Sequence, residues 1–306
     1  MSNPFTNRGL ITSPDDFIGR EQPMNEILGR VRSLQSASVV GERRIGKSSL
    51  LYQLAAQGNR RLNDEAYRFV YFDLLDAQSN TALEFFRAIL QRLELDAAAV
   101  NEQHTLTRNL IAFTEQLEAA TQAGQRIVLC LPEFEALFKH PDEFTEDFFD
   151  HMRSQLDRRR FAVVTSTRTT LQTLCLEGKL TSPFYNVFTV IELSVFDDAE
   201  VEAFLAHYQP QAQFTEQELQ FINSWLDPHP LKLQILCDWV WQNRTRQLAD
   251  WALTEEIAKQ YGNFFVGAFE AKRLRRAKRW FSLDFIGKLL DKLGKAKGLL
   301  SGADDK

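Results

Sequence analysis

Gly41-Glu42-Arg43-Arg44-Ile45-Gly46-Lys47-Ser48 fits the spacing G-x-x-x-x-G-K-[ST] without a mismatch. Its glycines let the backbone turn around an anion, so that successive N–H groups point inward at oxygen atoms. Ser38–Val40, just before it, is a short β-prone run, and Lys47–Gln57, just after it, carries apolar residues at helical spacing. The loop therefore joins a strand to a helix, whose N-terminal partial positive charge adds to the pull on an anion. In that setting Lys47 reaches the β- and γ-phosphates of a nucleoside triphosphate, and the Ser48 hydroxyl ligates a cation. ATP with Mg²⁺ is the expected ligand.

Working outward, further strands are expected at Phe69–Leu74, Ile127–Leu131, Phe161–Thr165 and Val187–Leu193, each a short apolar or β-branched run. Helical patterns alternate with them at Ala82–Leu93, Leu106–Ala120, Glu143–Leu156 and Thr169–Leu176, and another, from Met24 to Leu34, precedes the loop. Strands that alternate with helices argue for an α/β fold, a parallel sheet sandwiched by helices. After Leu193 only helices are read, at Asp197–Ala206, Thr215–Trp225, Leu231–Trp241 and Leu253–Phe269, as in a small all-helical domain. The expected division is an N-terminal segment and helix over 1–35, a P-loop nucleotide-binding domain over 36–194, a helical domain over 195–270 and a tail over 271–306.

Composition sets bounds on these readings. The chain has 306 residues, 44% hydrophobic and 25% charged, ordinary values for a soluble globular protein. No stretch approaches the roughly 18–20 apolar residues that span a bilayer, and MSNPFTNRGL lacks the pattern of a signal peptide. A cytoplasmic location is expected. Cys130, Cys175 and Cys237 lie far apart, outside any CxxC pair, which argues against a disulfide framework or a zinc site.

P-loop enzymes need an acidic residue at the end of a neighbouring strand to hold Mg²⁺, and often a second polar group to orient water. The candidate strand is Arg126-Ile127-Val128-Leu129-Cys130-Leu131-Pro132-Glu133-Phe134-Glu135. Glu133 is placed to polarise a water, but the position of the first acid holds Pro132, which has no ligand atom on its side chain. Three outcomes stay open: Glu133 moves into the metal role, Ser48 and water suffice, or hydrolysis is very slow. Alternatively, Glu133 and Glu135 only cap the strand end.

Taken together, these motifs resemble those of the STAND class of P-loop ATPases, related to AAA+ proteins, and more narrowly the bacterial AAA-like or novel STAND group. Phe17-Ile18-Gly19-Arg20-Glu21 looks like the family's F-x-G-R-E motif, and Gly41–Leu51, with Ser49 following Ser48, is the closest match. Leu129–Phe134 resembles the Walker B strand, with Pro132 where the family has Asp. Val163–Arg168 is similar to the sensor strand, and Asp227-Pro228-His229-Pro230 to the lid signature, with Asp227-Pro228 in place of its usual glycine. The resemblance implies that Gly19, Arg20 and Pro230 lie near the adenine and that Arg168 reads the γ-phosphate. It also implies a helical lid, a nucleotide-controlled switch and self-association.

Charge is unevenly spread. Residues 271–306 hold eleven Lys/Arg against four Asp/Glu, whereas the other 270 hold 25 against 37. Lys272–Phe281 is basic, and Phe285, Ile286, Leu289, Leu290 and Leu293 follow at helical spacing. Such a tail over about 271–300 suits a membrane surface, an acidic groove on a partner protein or on its own acidic body, or, less readily, nucleic acid. The expected function is an ATP-binding switch with slow or partner-dependent hydrolysis. The alternative is a non-hydrolysing nucleotide holder that acts through its tail.

Overall fold

The computed structural model describes residues 2–244. The pattern read at Leu253–Phe269 and the basic tail lie outside the described residues. Contacts divide the chain into two units: Leu10–Ser194, and Met1–Gly9 together with Val195–Lys306. The chain thus passes between the units at Gly9–Leu10 and again at Ser194–Val195.

The first unit runs α1 (Glu21–Val31), β1 (Ser36–Val40), α2 (Lys47–Leu62), β2 (Tyr67–Tyr71), α3 (Ala82–Arg92), α4 (Leu106–Gln122), β3 (Arg126–Leu131), α5 (Glu146–Asp157), β4 (Ala162–Thr167), α6 (Leu171–Glu177) and β5 (Phe188–Glu192). The five strands form one sheet in the order β2-β3-β4-β1-β5, and every pair is parallel. Parallel strands all finish at the same edge. Val40, Leu131, Thr167 and Tyr71 therefore bring the segments that follow them to one side of the molecule.

Alternation along the strands explains how helices cover both faces. Ile127, Leu129 and Leu131 of β3 belong to one core with Phe85, Phe86, Phe113, Phe148 and Phe149 from α3, α4 and α5. Val128 and Cys130 face the other core, with Met24, Ile27 and Val31 of α1 and Leu50, Leu51 and Leu54 of α2. Rings interlock in the first of these, with Phe86 and Phe113 stacked at a centroid distance of 4.8 Å. In the second, Gly58 of α2 lies so close to Phe69 that a Cβ would fall 2.4 Å from its ring.

The strand expected over Phe69–Leu74 ends sooner, at Tyr71. Beyond it, the Phe72 and Leu74 amides still reach the Cys130 and Pro132 carbonyls (3.0 and 3.4 Å). Asp73 then closes a turn by accepting from the Leu75 amide (3.0 Å), a local bond that competes with the ladder.

In the second unit the described helices are α7 (Asp198–Ala212), α8 (Glu216–Trp225) and α9 (Pro230–Asn243). Helix α7 runs past its expected end at Ala206, because Val201, Phe204, Leu205, Tyr208 and Ala212 continue one buried face. It stops where the Gln209 side chain binds both the amide (3.2 Å) and the carbonyl (2.7 Å) of Phe214. Capping boxes, Asp197 with Glu200 and Thr215 with Glu218, start α7 and α8.

The N-terminal residues pack against these helices. Phe5 is fully buried among Phe204, Tyr208 and Phe214, with centroids 6.3, 5.0 and 5.6 Å away. Asn3 and Arg8 both bind the Asp238 carboxylate, and Gln234 donates to the Asn7 carbonyl. Phe5→Ala should destabilise the protein by about 3–5 kcal/mol, the usual cost of emptying a buried ring site. Urea unfolding followed by tryptophan fluorescence checks this, and an unchanged midpoint would show that Phe5 is not packed.

Candidate nucleotide site

The phosphate loop starts where β1 stops. Gly41 donates its amide to the Thr167 carbonyl of β4 (3.3 Å), and the Leu193 amide donates to the Val40 carbonyl (2.7 Å). The backbone is so tightly held between them that a Cβ on Gly41 would meet the Leu193 carbonyl oxygen at 2.6 Å. Arg44 and Gly46 take left-handed conformations, with φ of 63° and 103°. The first is strained for a residue with a side chain, and the second is natural for glycine. Ile45 is buried and anchors the loop in the core. Beneath it, the buried Arg20 donates from Nη2 to the Ile45 carbonyl (3.1 Å).

Helix α2 opens at Lys47 with Gly46 as its N-cap, and no side chain caps its first turn. The orphan amides of that turn suit an anion. Ser48 lies in it, half-buried. The Lys47 ammonium folds back onto the loop, donating to the carbonyls of Gly41 and Glu42, both at 2.9 Å. Burial lowers its pKa, Glu133 and Glu135 counter that, and Arg168 adds to it. The next hydroxyl, Ser49, accepts from the Ile11 amide (3.1 Å), and Gln53 donates to the Ile11 carbonyl (2.9 Å). Ser49 thus pins the segment before α1 onto α2.

Two strands away, β3 runs into the buried Pro132. Glu133 then turns left-handed, with φ of 55°, and its amide donates to the Ser166 hydroxyl of β4 (3.3 Å). A 3₁₀ turn over Phe134–Lys139 follows, held by the buried Phe134 and Leu137. It carries Glu135, whose Oε1 lies 3.6 Å from the Nε of Arg168 at the end of β4. The Arg168 side chain is 56% exposed and that of Glu135 only 18%. Burial pushes the Glu135 carboxyl above its ordinary range, its own backbone amide offsets this, Glu133 reinforces it, and Lys47 and Arg168 oppose it. The charges of Lys47, Glu133, Glu135 and Arg168 therefore act on one another at the same sheet edge.

A family model described as novel STAND NTPase 1 matches residues 11–218. The chain is a novel STAND NTPase. Comparison with curated proteins returns no match. Among solved structures, a Walker-type ATPase of Pyrococcus abyssi is similar with a TM-score of 0.63 and 14% identity, over 90% of this chain and 81% of that one. The ORC2 protein of Aeropyrum pernix, with ADPNP and ADP, gives 0.54 and 11%, over 89% of this chain and 66% of that one. Cdc6p of Pyrobaculum aerophilum gives 0.50 and 16%, over 77% and 66%. At these identities the likeness is one of fold: a P-loop α/β sheet with a helical region after it.

Within this STAND NTPase, the sheet unit assembles Gly41, Gly46, Lys47, Ser48, Glu133 and Arg168 on a single edge. Arg20 supports the loop through its bond to Ile45, and Gly19 before it is left-handed, with φ of 73°. Pro230 belongs to the helical unit, at the first position of α9. The sequence reading took Glu135 only as a strand cap and did not foresee the Arg20–Ile45 bond. The left-handed turn at Glu133, which brings Glu135 to Arg168, has no glycine or asparagine to signal it. Gly41→Ala should lower the thermal midpoint and abolish nucleotide binding, because the obstructing atom is backbone. Arg44→Gly, which relieves a conformation costing about 1 kcal/mol, should not lower the midpoint. Differential scanning calorimetry of both variants checks the pair.

Proposed function

We propose that this chain is a nucleotide-operated switch that holds ATP with Mg²⁺ on Gly41–Ser48 and hydrolyses it slowly. One observation carries the reading most of the way. The uncapped first turn of α2 sits beside a lysine whose ammonium is satisfied only by the loop's own carbonyls. A triphosphate offers Lys47 stronger, charge-assisted acceptors, and offers the orphan amides of α2 an anion. In the switch, Lys47 exchanges the carbonyls of Gly41 and Glu42 for the β- and γ-phosphates. The ORC2 protein that shares this fold was solved with ADPNP and ADP, which supports a nucleotide as the ligand.

Residues round the loop take roles consistent with their places. Ser48 would hold Mg²⁺, which when bound neutralises the phosphate charge that builds up during transfer. Glu133 would orient the attacking water, and the exposed Arg168 would pair with the γ-phosphate. Gly19 and Arg20 would define the surroundings of the adenine, Arg20 through its support of Ile45. Pro132 leaves the strand end without a carboxylate. Losing one preorganised charge contact typically costs on the order of a hundredfold in rate, so turnover is slow unless a partner or a second copy of the chain supplies what is missing.

A second reading shares the site but not the chemistry: the chain holds nucleotide without turnover and acts through its basic tail on a membrane or partner. Pro132 favours it. Among the described residues no helix is long and apolar enough to cross a membrane.

Lys47→Ala should abolish ATP binding in calorimetry, and unchanged affinity would sink the site. Phosphate release that is slow in the wild type, stops in Glu133→Gln and rises in Pro132→Asp supports the enzyme. No release under any oligomeric condition supports the holder. Co-sedimentation with anionic vesicles, with and without residues 271–306, tests the tail; equal binding by both forms would exclude it as the anchor.

A further inference from the structure

The Glu135 side chain is 18% exposed, but its carboxylate end is covered. Both carboxylate oxygens are shielded from solvent, and beyond its own backbone amide no protein donor reaches them. Arg168 stands 3.6 Å away, at ion-pair distance but too far to donate a hydrogen bond. Buried carboxylates are normally satisfied by donors, and leaving one without them is unfavourable. Here burial pushes the carboxyl above its ordinary range, and Lys47 on the phosphate loop and Arg168 just after β4 oppose that only in part. The turn that carries Glu135 is fixed in place by Phe134 and Leu137, so the carboxylate is held rather than stray. Glu133 donates its backbone amide to the Ser166 hydroxyl.

The neighbouring strand end lacks an acid. Pro132 occupies it, and a proline offers no side-chain oxygen. Mg²⁺ bound with a nucleotide keeps several of its waters and needs only one or two protein carboxylates beside the phosphates. Those waters are hydrogen-bond donors, which is what the Glu135 oxygens lack.

We propose that Glu135 is the cation-facing carboxylate of this chain, accepting hydrogen bonds from the water ligands of nucleotide-bound Mg²⁺ in place of the acid that Pro132 displaces. This rests on the nucleotide site proposed above. It assigns the two glutamates different work, Glu133 to water and Glu135 to the hydrated cation. It also gives Arg168 two partners. Without nucleotide it is the counter-ion of Glu135; once the hydrated cation satisfies that carboxylate, Arg168 turns to the γ-phosphate.

The test is calorimetric titration of the full chain with ATP, once with Mg²⁺ and once with EDTA. Outer-shell carboxylates contribute about 10–100-fold to metal affinity, so Mg²⁺ should tighten ATP binding by the wild type by about tenfold or more. Glu135→Gln should bind ATP equally with and without Mg²⁺, while Glu133→Gln keeps the gain. Adding Pro132→Asp to Glu135→Gln should restore it. Full retention of the gain in Glu135→Gln overturns the assignment and leaves the nucleotide site standing, as does its loss in Glu133→Gln alone. Absence of ATP binding by the wild type in both buffers overturns the nucleotide site itself. If Glu135→Gln does not fold, Glu135→Asp takes its place: it keeps the charge and shortens the reach, and a full gain in it counts against the proposal.

Discussion

β4 lies between β1 and β3, and all three run in the same direction. That single pairing constraint fixes the geometry of the site. The register Val40 to Thr167 sets the loop beside Arg168, and Leu131 to Thr165 sets Pro132 and Glu133 beside Ser166. The loop and the acidic turn are thereby held apart by the width of one strand, roughly 5 Å on each side. The γ-phosphate and cation of the proposed function would occupy that gap, beside Arg168. The rest of the unit supports this edge: Arg20 from below through Ile45, Leu193 through its contact with Gly41, and the phenylalanine cluster through the turn that carries Glu135.

Much of this was legible in the sequence because it depends on local rules. The phosphate loop is a pattern of glycines, a lysine and a hydroxyl whose backbone requirements are nearly unique. The strands showed as short apolar runs, since a parallel sheet buried on both faces needs no alternation. Helix α9 showed as the helical pattern over Leu231–Trp241, and its start one residue earlier at Pro230 follows from proline suiting the first helical turn. What was hidden depends on contacts between distant residues. Arg20 reads as part of a motif, yet its bond to Ile45 needs the tertiary fold. Phe5 reads as a turn neighbour, yet three rings from α7 and its C-terminal loop bury it. Glu135 reads as the second acid of a strand cap, and only the left-handed turn at Glu133 gives it another direction.

The altered strand end changes the balance of the site rather than removing it. With an acid at the end of β3, a cation would have a carboxylate in place before nucleotide arrived. With Pro132 there, the nearest carboxylates lie on the turn beyond, and the cations Lys47 and Arg168 are already committed to loop carbonyls and to Glu135. On the proposed function, nucleotide binding would redistribute these contacts, and that exchange would be the physical content of a switch: one set of hydrogen bonds and ion pairs without nucleotide, another with it. Binding is then accompanied by movement of named side chains. Hydrolysis, which needs charge to be preorganised, would on that proposal be the weaker property.

The position of Lys47 tests this account most directly. A crystal structure grown with a non-hydrolysable ATP analogue and Mg²⁺ should show phosphate oxygens on the amides of Gly46, Lys47 and Ser48. The Lys47 ammonium should have left the Gly41 and Glu42 carbonyls for the β- and γ-phosphates. An analogue bound elsewhere, or a Lys47 still on those carbonyls beside an occupied loop, would contradict it.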